Sequence, residues 1–446
     1  DRKGMVETLD DNKQHAGAPV GGPWHKPWAW VPSLAFADGL PLVAVMAVSL
    51  IFYKQMGLSN AAITFYTSWM YLPWILKPVW SPFIDLVKTK RWWILDTQLL
   101  LGAAFGGVAF TIPTAHWLQC TLFFFWVAAF TGASHCVAAD GFYLLALDER
   151  QQAWYMGIRQ VGDRLATIIG QGVLVMVAGN LQVIFRGSIS YSWSLTFYGL
   201  AGIFILLWLW HSYALPHARD DSSRPIVSAS SILSGCALTF RTFMRKPDIV
   251  LALCFIVLFR LPEALLSKVS PLFLIDAPHN GGLGLAPQEY GLVQGTVGMI
   301  GMILGSIAGG IAVSHQGLRR WLYPMAAAYS LPPIIYIILA YTMPESLAVV
   351  SVAVFTEQAG VGFGITAYMM FLIYYNRGEF RTSHYAMASA TMTLALMLPG
   401  LVAGGMEEAL GYSRFFMLTL LAMAVTWAVV ARVRSKMGFS LDNDTD

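Results

Sequence analysis

The sequence predicts an all-α membrane protein of 12 transmembrane helices arranged as two pseudo-symmetric six-helix halves. Three observations carry this: apolar runs of spanning length recur along the chain, its lysines and arginines collect on one side of those runs, and a loop motif occurs twice. The chain has 446 residues, of which 57% are hydrophobic and 12% charged, and its mean hydropathy is +0.58. Soluble domains carry about 25% charged residues, so this chain has too little polar surface to face water on all sides. A helix crosses a hydrocarbon core about 30 Å thick with about 20 mostly apolar residues. Such runs are read at 29–53, 60–84, 92–114, 117–141, 154–179, 192–214, 248–275, 287–314, 321–342, 346–374, 385–407 and 412–433. Spanning β-strands would instead alternate over segments of about ten residues. The 16 Trp and 18 Tyr suit two interfacial belts.

Charge gives these runs a direction. Of the 28 lysines and arginines, Lys54, Arg186 and Arg414 fall in one set of connections, and Lys77, Arg159, Arg164, Arg260 and Lys268 fall inside spans. The remaining 20 lie in the other set of connections or in the tails. By the positive-inside rule both termini are expected in the cytoplasm, and an even number of spans keeps that alternation intact.

The polar, Gly- and Pro-containing residues 1–27 are expected to form a flexible cytoplasmic tail without the apolar core of a cleavable signal. Residues 28–214 are the expected amino-terminal bundle, 215–247 a cytoplasmic linker, 248–434 the carboxy-terminal bundle and 435–446 a second tail. Within the linker, 228–245 has apolar residues at helical spacing and is expected to lie on the membrane surface. Cys120, Cys136, Cys236 and Cys254 show no metal-ligand spacing and are read as packing residues. No metal or cofactor is expected.

Ser81-x3-Asp85-x2-Lys88-x-Lys90-Arg91-Trp92 follows the second span, and Gly310-x3-Ser314-x2-Gly317-x-Arg319-Arg320-Trp321 follows the eighth, 229 residues later at every matched position. The pattern resembles the loop signature of the major facilitator superfamily, in which small residues let two helices approach and the acid and bases lock the cytoplasmic gate. The resemblance assigns gating to Asp85, Lys90, Arg91, Arg319 and Arg320. The first copy has Ser81 and Lys88 in place of two glycines, and the second has Ser314 in place of the acid.

A charge in mid-bilayer costs about 3 kcal/mol on insertion scales, so it should face a partner or a wet cavity. The spans hold Asp38, Lys77, Asp140, Arg159, Asp163, Arg164, Arg260, Glu263, Lys268 and Glu357. Arg159 and Asp163, four apart, and Arg260 and Glu263, three apart, can each share a helix face. Arg260 and Glu263 sit near the middle of their span, where transporters of this architecture place substrate and coupling sites. His135, five residues before Asp140, is a further candidate for proton movement. Gly39-Leu40-Pro41, Pro73, Pro78, Pro262, Pro271, Pro332-Pro333 and Pro399-Gly400 are expected helix breaks, hinges or cavity walls. Gly298, Gly301, Gly305 and Gly309 form a small-residue stripe suited to close packing.

Several short segments, in order from the first span to the last, resemble the AmpG muropeptide permease family, a branch of the major facilitators. They are Phe36-Ala-Asp-Gly-Leu-Pro-Leu42, Lys77-Pro-Val-Trp-Ser-Pro-Phe-Ile-Asp85, Arg91-Trp-Trp-Ile-Leu with Thr97-Gln98, Gly362-x-Gly364-x2-Ala367, Asn376, Ala386-x2-Ser389-Ala390, Pro399-Gly400-x2-Ala403-Gly404 and Gly411-Tyr412-x2-Phe415-Phe416. The resemblance implies import of GlcNAc-anhydroMurNAc, with or without peptide, across the bacterial inner membrane by alternating access, driven by protons. Departures at Gly141–Ala153 and at Pro278–Gly284 leave another sugar, amino sugar or oligosaccharide as the alternative solute. Lys77, Arg164, Arg260 and Glu263 are the expected substrate-binding residues, because an anionic solute suits cations in a watery cavity. Asp38, Asp140, Glu263 and Glu357 are the expected proton-coupling carboxylates. The expected partners are a small anionic sugar or muropeptide, protons and the bilayer, with no nucleic acid and a monomeric chain. An embedded transferase is the weaker reading, since no HExxH, GxSxG or acidic pair in an outer loop is found.

Overall fold

The structure, a computed structural model, describes residues 26–217, 238, 240–376 and 381–436; within these it leaves out a few side chains, that of Asp85 among them. The tails and most of the linker, including nearly all of the expected surface helix at 228–245, lie outside the described residues.

The described chain is helical, and each expected span is found. We number them α1 Pro27–Gln55, α2 in two pieces Asn60–Trp69 and Leu72–Leu86, α3 Lys90–Thr111, α4 Trp117–Ala146, α5 Arg150–Ile184 and α6 Ile189–Ala214. The second half comprises α7 Ile249–Ile275, α8 Pro287–Gln316, α9 Leu318–Thr342, α10 Leu347–Tyr375, α11 Arg381–Leu410 and α12 Tyr412–Lys436. Eleven of these are long and apolar enough to cross a membrane, and the interrupted α2 completes the 12. The ends run up to several residues beyond the apolar stretches, because polar residues such as Lys90 and Gln316 continue a helix into the interface.

Proline explains some of the breaks and not others. α7 is interrupted at Phe259–Arg260, just before Pro262, and α9 at Leu331–Pro332, before Pro333. Each proline then occupies the first turn of the following piece, where its missing N–H leaves no bond unmade. Pro41 and Pro399 instead lie inside continuous helices, contrary to the expected breaks. In α1 a π-helical stretch, Ala44–Val48, begins three residues after Pro41. Two further π-helical stretches, Ile168–Leu174 in α5 and Gly291–Gly298 in α8, cross where Gly172 meets Gly295. Any side chain at Gly295 would overlap the α5 backbone, so glycine permits this contact between the halves. The stripe of α8 packs on α10 as expected: a methyl group at Gly305 would overlap the Ala359 carbonyl.

The two halves are visible in the core. On the side that carries the described chain ends, the buried core divides. One cluster, around Trp30, Ile94, Phe142 and Leu215, belongs to α1–α6 and its connections. Another, around Phe255, Tyr329, Tyr368 and Val433, belongs to α7–α12 and the segment before them. On the far side a single cluster runs through both halves, from Tyr53 and Trp193 to Phe273 and Phe416. The halves are thus sealed together at the far face and separately packed toward the terminal face.

The loop repeat has a structural counterpart. Lys88 and Gly317, its matched positions, both have positive φ, 65° and 73°. Gly317 also has ψ 157°, a region open essentially to glycine alone. Gly317→Ala is expected to cost about 1–3 kcal/mol through backbone strain, since no atom lies within 4 Å of the added methyl. Gly310→Ala, in the helix and equally uncrowded, serves as the control. Thermal unfolding in detergent checks both, and equal midpoints for the two variants would refute the strain.

Candidate functional site

A cavity of about 280 Å³ lies between the halves. α5 contributes Arg164 and Gln171, α7 contributes Glu263 and Lys268, α8 contributes Gln294, and α10 contributes Glu357. The two π-helical stretches carry Gln171 and Gln294 into its wall, in keeping with the frequency of such bulges at functional sites. Gln171 Nε2 donates to the Tyr290 hydroxyl at 3.1 Å, bridging α5 and α8.

The charged residues of the wall differ in their company. Arg260 Nη2 donates to Glu263 Oε2 at 3.0 Å, the Tyr329 hydroxyl donates to the same oxygen at 2.9 Å, and Arg260 Nε reaches Tyr329 at 3.0 Å. The guanidinium also lies over the Tyr368 ring at 5.7 Å. The expected Arg260/Glu263 pair therefore forms, with Glu263 at the cavity and Arg260 behind it. Glu357, buried, accepts from its neighbour Gln358 at 3.0 and 2.9 Å, and among the described residues no cationic nitrogen lies within 4 Å of it. Lys268 donates to Thr67 Oγ1 at 3.2 Å and lies 5.0 Å from the centre of the Tyr71 ring. Among the described residues, Arg164 has one hydrogen-bond partner, the Met302 sulfur at 3.7 Å.

A second charged cluster lies inside the first half. Arg159 bonds Asp140 and reaches Asp38 Oδ2 at 3.4 Å. It does not pair with Asp163, whose Oδ1 faces the backbone of Gly39 in α1. Lys77 Nζ contacts the Cys136 sulfur at 3.5 Å, and that sulfur lies 3.8 Å from Asp140. Asp38, Cys136 and Asp140 come close enough to hold a metal ion, but Arg159 and Lys77 already supply the positive charge. Behind Asp38 runs a buried polar chain: His135 Nδ1 at 3.8 Å, Gln98 at 3.1 Å from His135, His211 at 2.8 Å from Gln98, and Ser33 at 3.0 Å from His211.

The far face is closed by a lock between the halves. Lys54 Nζ donates to Asp276 Oδ2 at 2.6 Å and to Asn60 Oδ1 at 2.7 Å. Asn60 Nδ2 donates to Glu407 at 2.6 Å and to the Tyr412 hydroxyl at 2.8 Å, and that hydroxyl donates to Asp276 at 2.8 Å. Burial pushes the Asp276 carboxyl up, but bonds from Lys54, Asn280 and Tyr412 outweigh it and hold the group below the usual carboxylate range.

Of the expected substrate residues, Arg164 and Glu263 line the cavity, whereas Lys77 and Arg260 do not. Of the expected coupling carboxylates, Glu263 and Glu357 line it, and Asp38 and Asp140 sit with Arg159. Among the gating residues, Arg91 donates to the Ser212 and Leu215 carbonyls at 2.6 and 3.2 Å, inside its own half. Lys90 is buried against Gly141, and Arg319 and Arg320 are exposed, the latter at a groove with Ser314. Gln98, Gln171, His211, Tyr290 and Gln294 carry no formal charge in the sequence that would mark them within their spans. Polar residues in apolar runs are the signal that finds them.

Two six-helix halves around a charged central cavity make the major facilitator fold. Solved structures with the same fold include a POT-family peptide transporter bound to alafosfalin (TM-score 0.68, 13% identity, 96% of this chain and 99% of that one). Others are a bacterial homologue of the lysosomal transporter Spinster (0.67, 15%, 93% and 98%) and a D-xylose–proton symporter (0.65, 12%, 89% and 96%). No family model matches the chain. Among curated proteins it is 24% identical over 418 residues to the anhydromuropeptide permease of Escherichia coli K12, covering 92% of this chain and 80% of that one. It is 23% identical over 401 residues to a Rickettsia conorii protein named as a transporter, AmpG 4, covering 87% and 92%. The chain is a multi-pass membrane transporter, AmpG-like in sequence, and not an enzyme.

Proposed function

We propose that this transporter imports cell-wall muropeptides, GlcNAc-anhydroMurNAc with or without peptide, together with protons, across the bacterial inner membrane. The observation that carries the reading is the central cavity, whose wall takes a cation from each half and two carboxylates from the second, in a chain similar to anhydromuropeptide permease. With both termini in the cytoplasm, the locked face is periplasmic and the conformation is closed to the outside. Import then requires the Lys54–Asp276 lock to open, solute and proton to enter, and the lock to re-form while the cytoplasmic side parts. A single chain contains both halves and so suffices as a monomer.

Glu357 is the carboxylate we assign to the transported proton. Asp38, Asp140 and Glu263 each have an arginine partner, whereas a proton is what can neutralise Glu357. Burying an unpaired charge is far costlier than burying the neutral acid, so the loaded site favours moving through the closed intermediate.

The test is uptake of labelled anhydromuropeptide into proteoliposomes with an acid-outside gradient. Accumulation that collapses with a protonophore is expected. No uptake of muropeptide alongside clear uptake of a neutral sugar would replace the solute and keep the transporter.

A further inference from the structure

We infer that Lys268 and Arg164, one from each half, form a clamp for a carboxylate on the solute. The clamp rests on the transport reading above for the cavity being the solute site. Lys268 is 5% exposed and its side chain lies at the cavity wall. The neighbours that hold it are neutral, the Thr67 hydroxyl and the face of Tyr71. Among the described residues, the hydrogen-bond partner of Arg164, half-buried on the facing α5, is the Met302 thioether, a weak acceptor, and the adjacent Asp163 makes no ion pair with it. Among the described residues, no carboxylate oxygen lies within 4 Å of either cation. The other intramembrane cations differ: Arg260 is held by Glu263, Arg159 by Asp38 and Asp140, and Lys77 lies within the same acidic cluster.

A buried ammonium without a counter-charge is costly unless something completes it. A protein fold can afford that cost where the missing anion is a ligand that arrives and leaves. Of the two cavity carboxylates, Glu263 is already bonded to Arg260 and Tyr329, and Glu357 is bonded to Gln358. A solute carboxylate seated between Arg164 and Lys268 can take a forked pair of bonds from the guanidinium and one from the ammonium. Because the two cations belong to different halves, bound anion also ties the halves together across the cavity. A proton on Glu357 removes the one negative charge of the wall that no cation offsets, so anion and proton load more readily together than singly. The ligand class is therefore a sugar or peptide acid, and the carboxylate is its recognised group.

The test uses full-length protein in nanodiscs, titrated calorimetrically with N-acetylmuramic acid and with its lactyl methyl ester. The wild type should bind the acid at least about tenfold more tightly than the ester, as a hydrogen bond to a charged group implies. Lys268→Met should lower acid affinity about tenfold to a hundredfold and ester affinity far less, with thermal unfolding of the variant reporting that it is folded. Lys268→Arg should keep most of the preference, and Arg164→Gln should reduce it. Equal affinity of the wild type for acid and ester, binding of neither, or undiminished acid affinity in Lys268→Met would overturn the clamp. Muropeptide uptake by a protein that is blind to the carboxylate defeats the clamp alone. A carboxylate preference without muropeptide uptake defeats the solute and leaves the clamp standing.

Discussion

Asp276→Ala should open the far face. The Lys54–Asp276 pair, with Asp276 buried and Lys54 largely so, spans the two halves and sits in a connected set of bonds with Asn60, Tyr412 and Glu407. Removing one member leaves the Lys54 charge without its anion, and truncating one partner of a buried, hydrogen-bonded pair costs about 2–5 kcal/mol. The loss falls on the closed state alone, because the two residues part when the halves separate there. A shift of 2 kcal/mol is about 30-fold in a two-state equilibrium. Spin labels at His116 and Glu345, exposed on far-face loops of opposite halves, should report a new longer-distance population, and Lys54→Ala should do the same. Distance distributions identical to wild type in both variants would remove the lock from the mechanism. Asp276 is held below the ordinary carboxylate range. Its contribution is therefore present above about pH 3.9 and fades only as pH falls through its lower native value. Acid near neutrality does not release the lock.

Glu357→Gln should uncouple transport from the proton gradient while leaving exchange intact. Glutamine keeps the shape and the hydrogen-bonding oxygen of a protonated glutamate but cannot lose a proton. Equilibrium counterflow of labelled muropeptide in the variant is expected near the wild-type rate, with gradient-driven accumulation lost about tenfold or more, the scale of one buried charge interaction. Substitution of Asp38 should act differently, disturbing the Arg159 cluster and its buried Gln98–His135–His211 chain. Accumulation by Glu357→Gln equal to wild type would move the proton to another carboxylate.

The local and periodic features were legible in the residues themselves. Each apolar run became a helix because a backbone in lipid has to satisfy its own hydrogen bonds. The 229-residue repeat reappears as matched left-handed positions at Lys88 and Gly317, and the i,i+3 spacing of Arg260 and Glu263 became an ion pair. The i,i+4 spacing of Arg159 and Asp163 did not, since the side chains of α1 and α4 offered Arg159 better-placed carboxylates. Pro41 and Pro399 likewise failed to break their helices, because the surrounding helices and a π-helical turn absorb what a lone helix cannot.

The number of spans, the halves and the charges available in the membrane are therefore consequences of composition and spacing, which act along the chain. Which charges remain unpaired is not. Lys54 meets Asp276, 222 residues away, while Lys268 and Arg164 form no ion pair within 4 Å among the described residues, and no local pattern distinguishes these cases. Pairing depends on which helix faces cross and at what depth. Only the packing of the two halves decided that, and it left two cations and Glu357 facing one cavity.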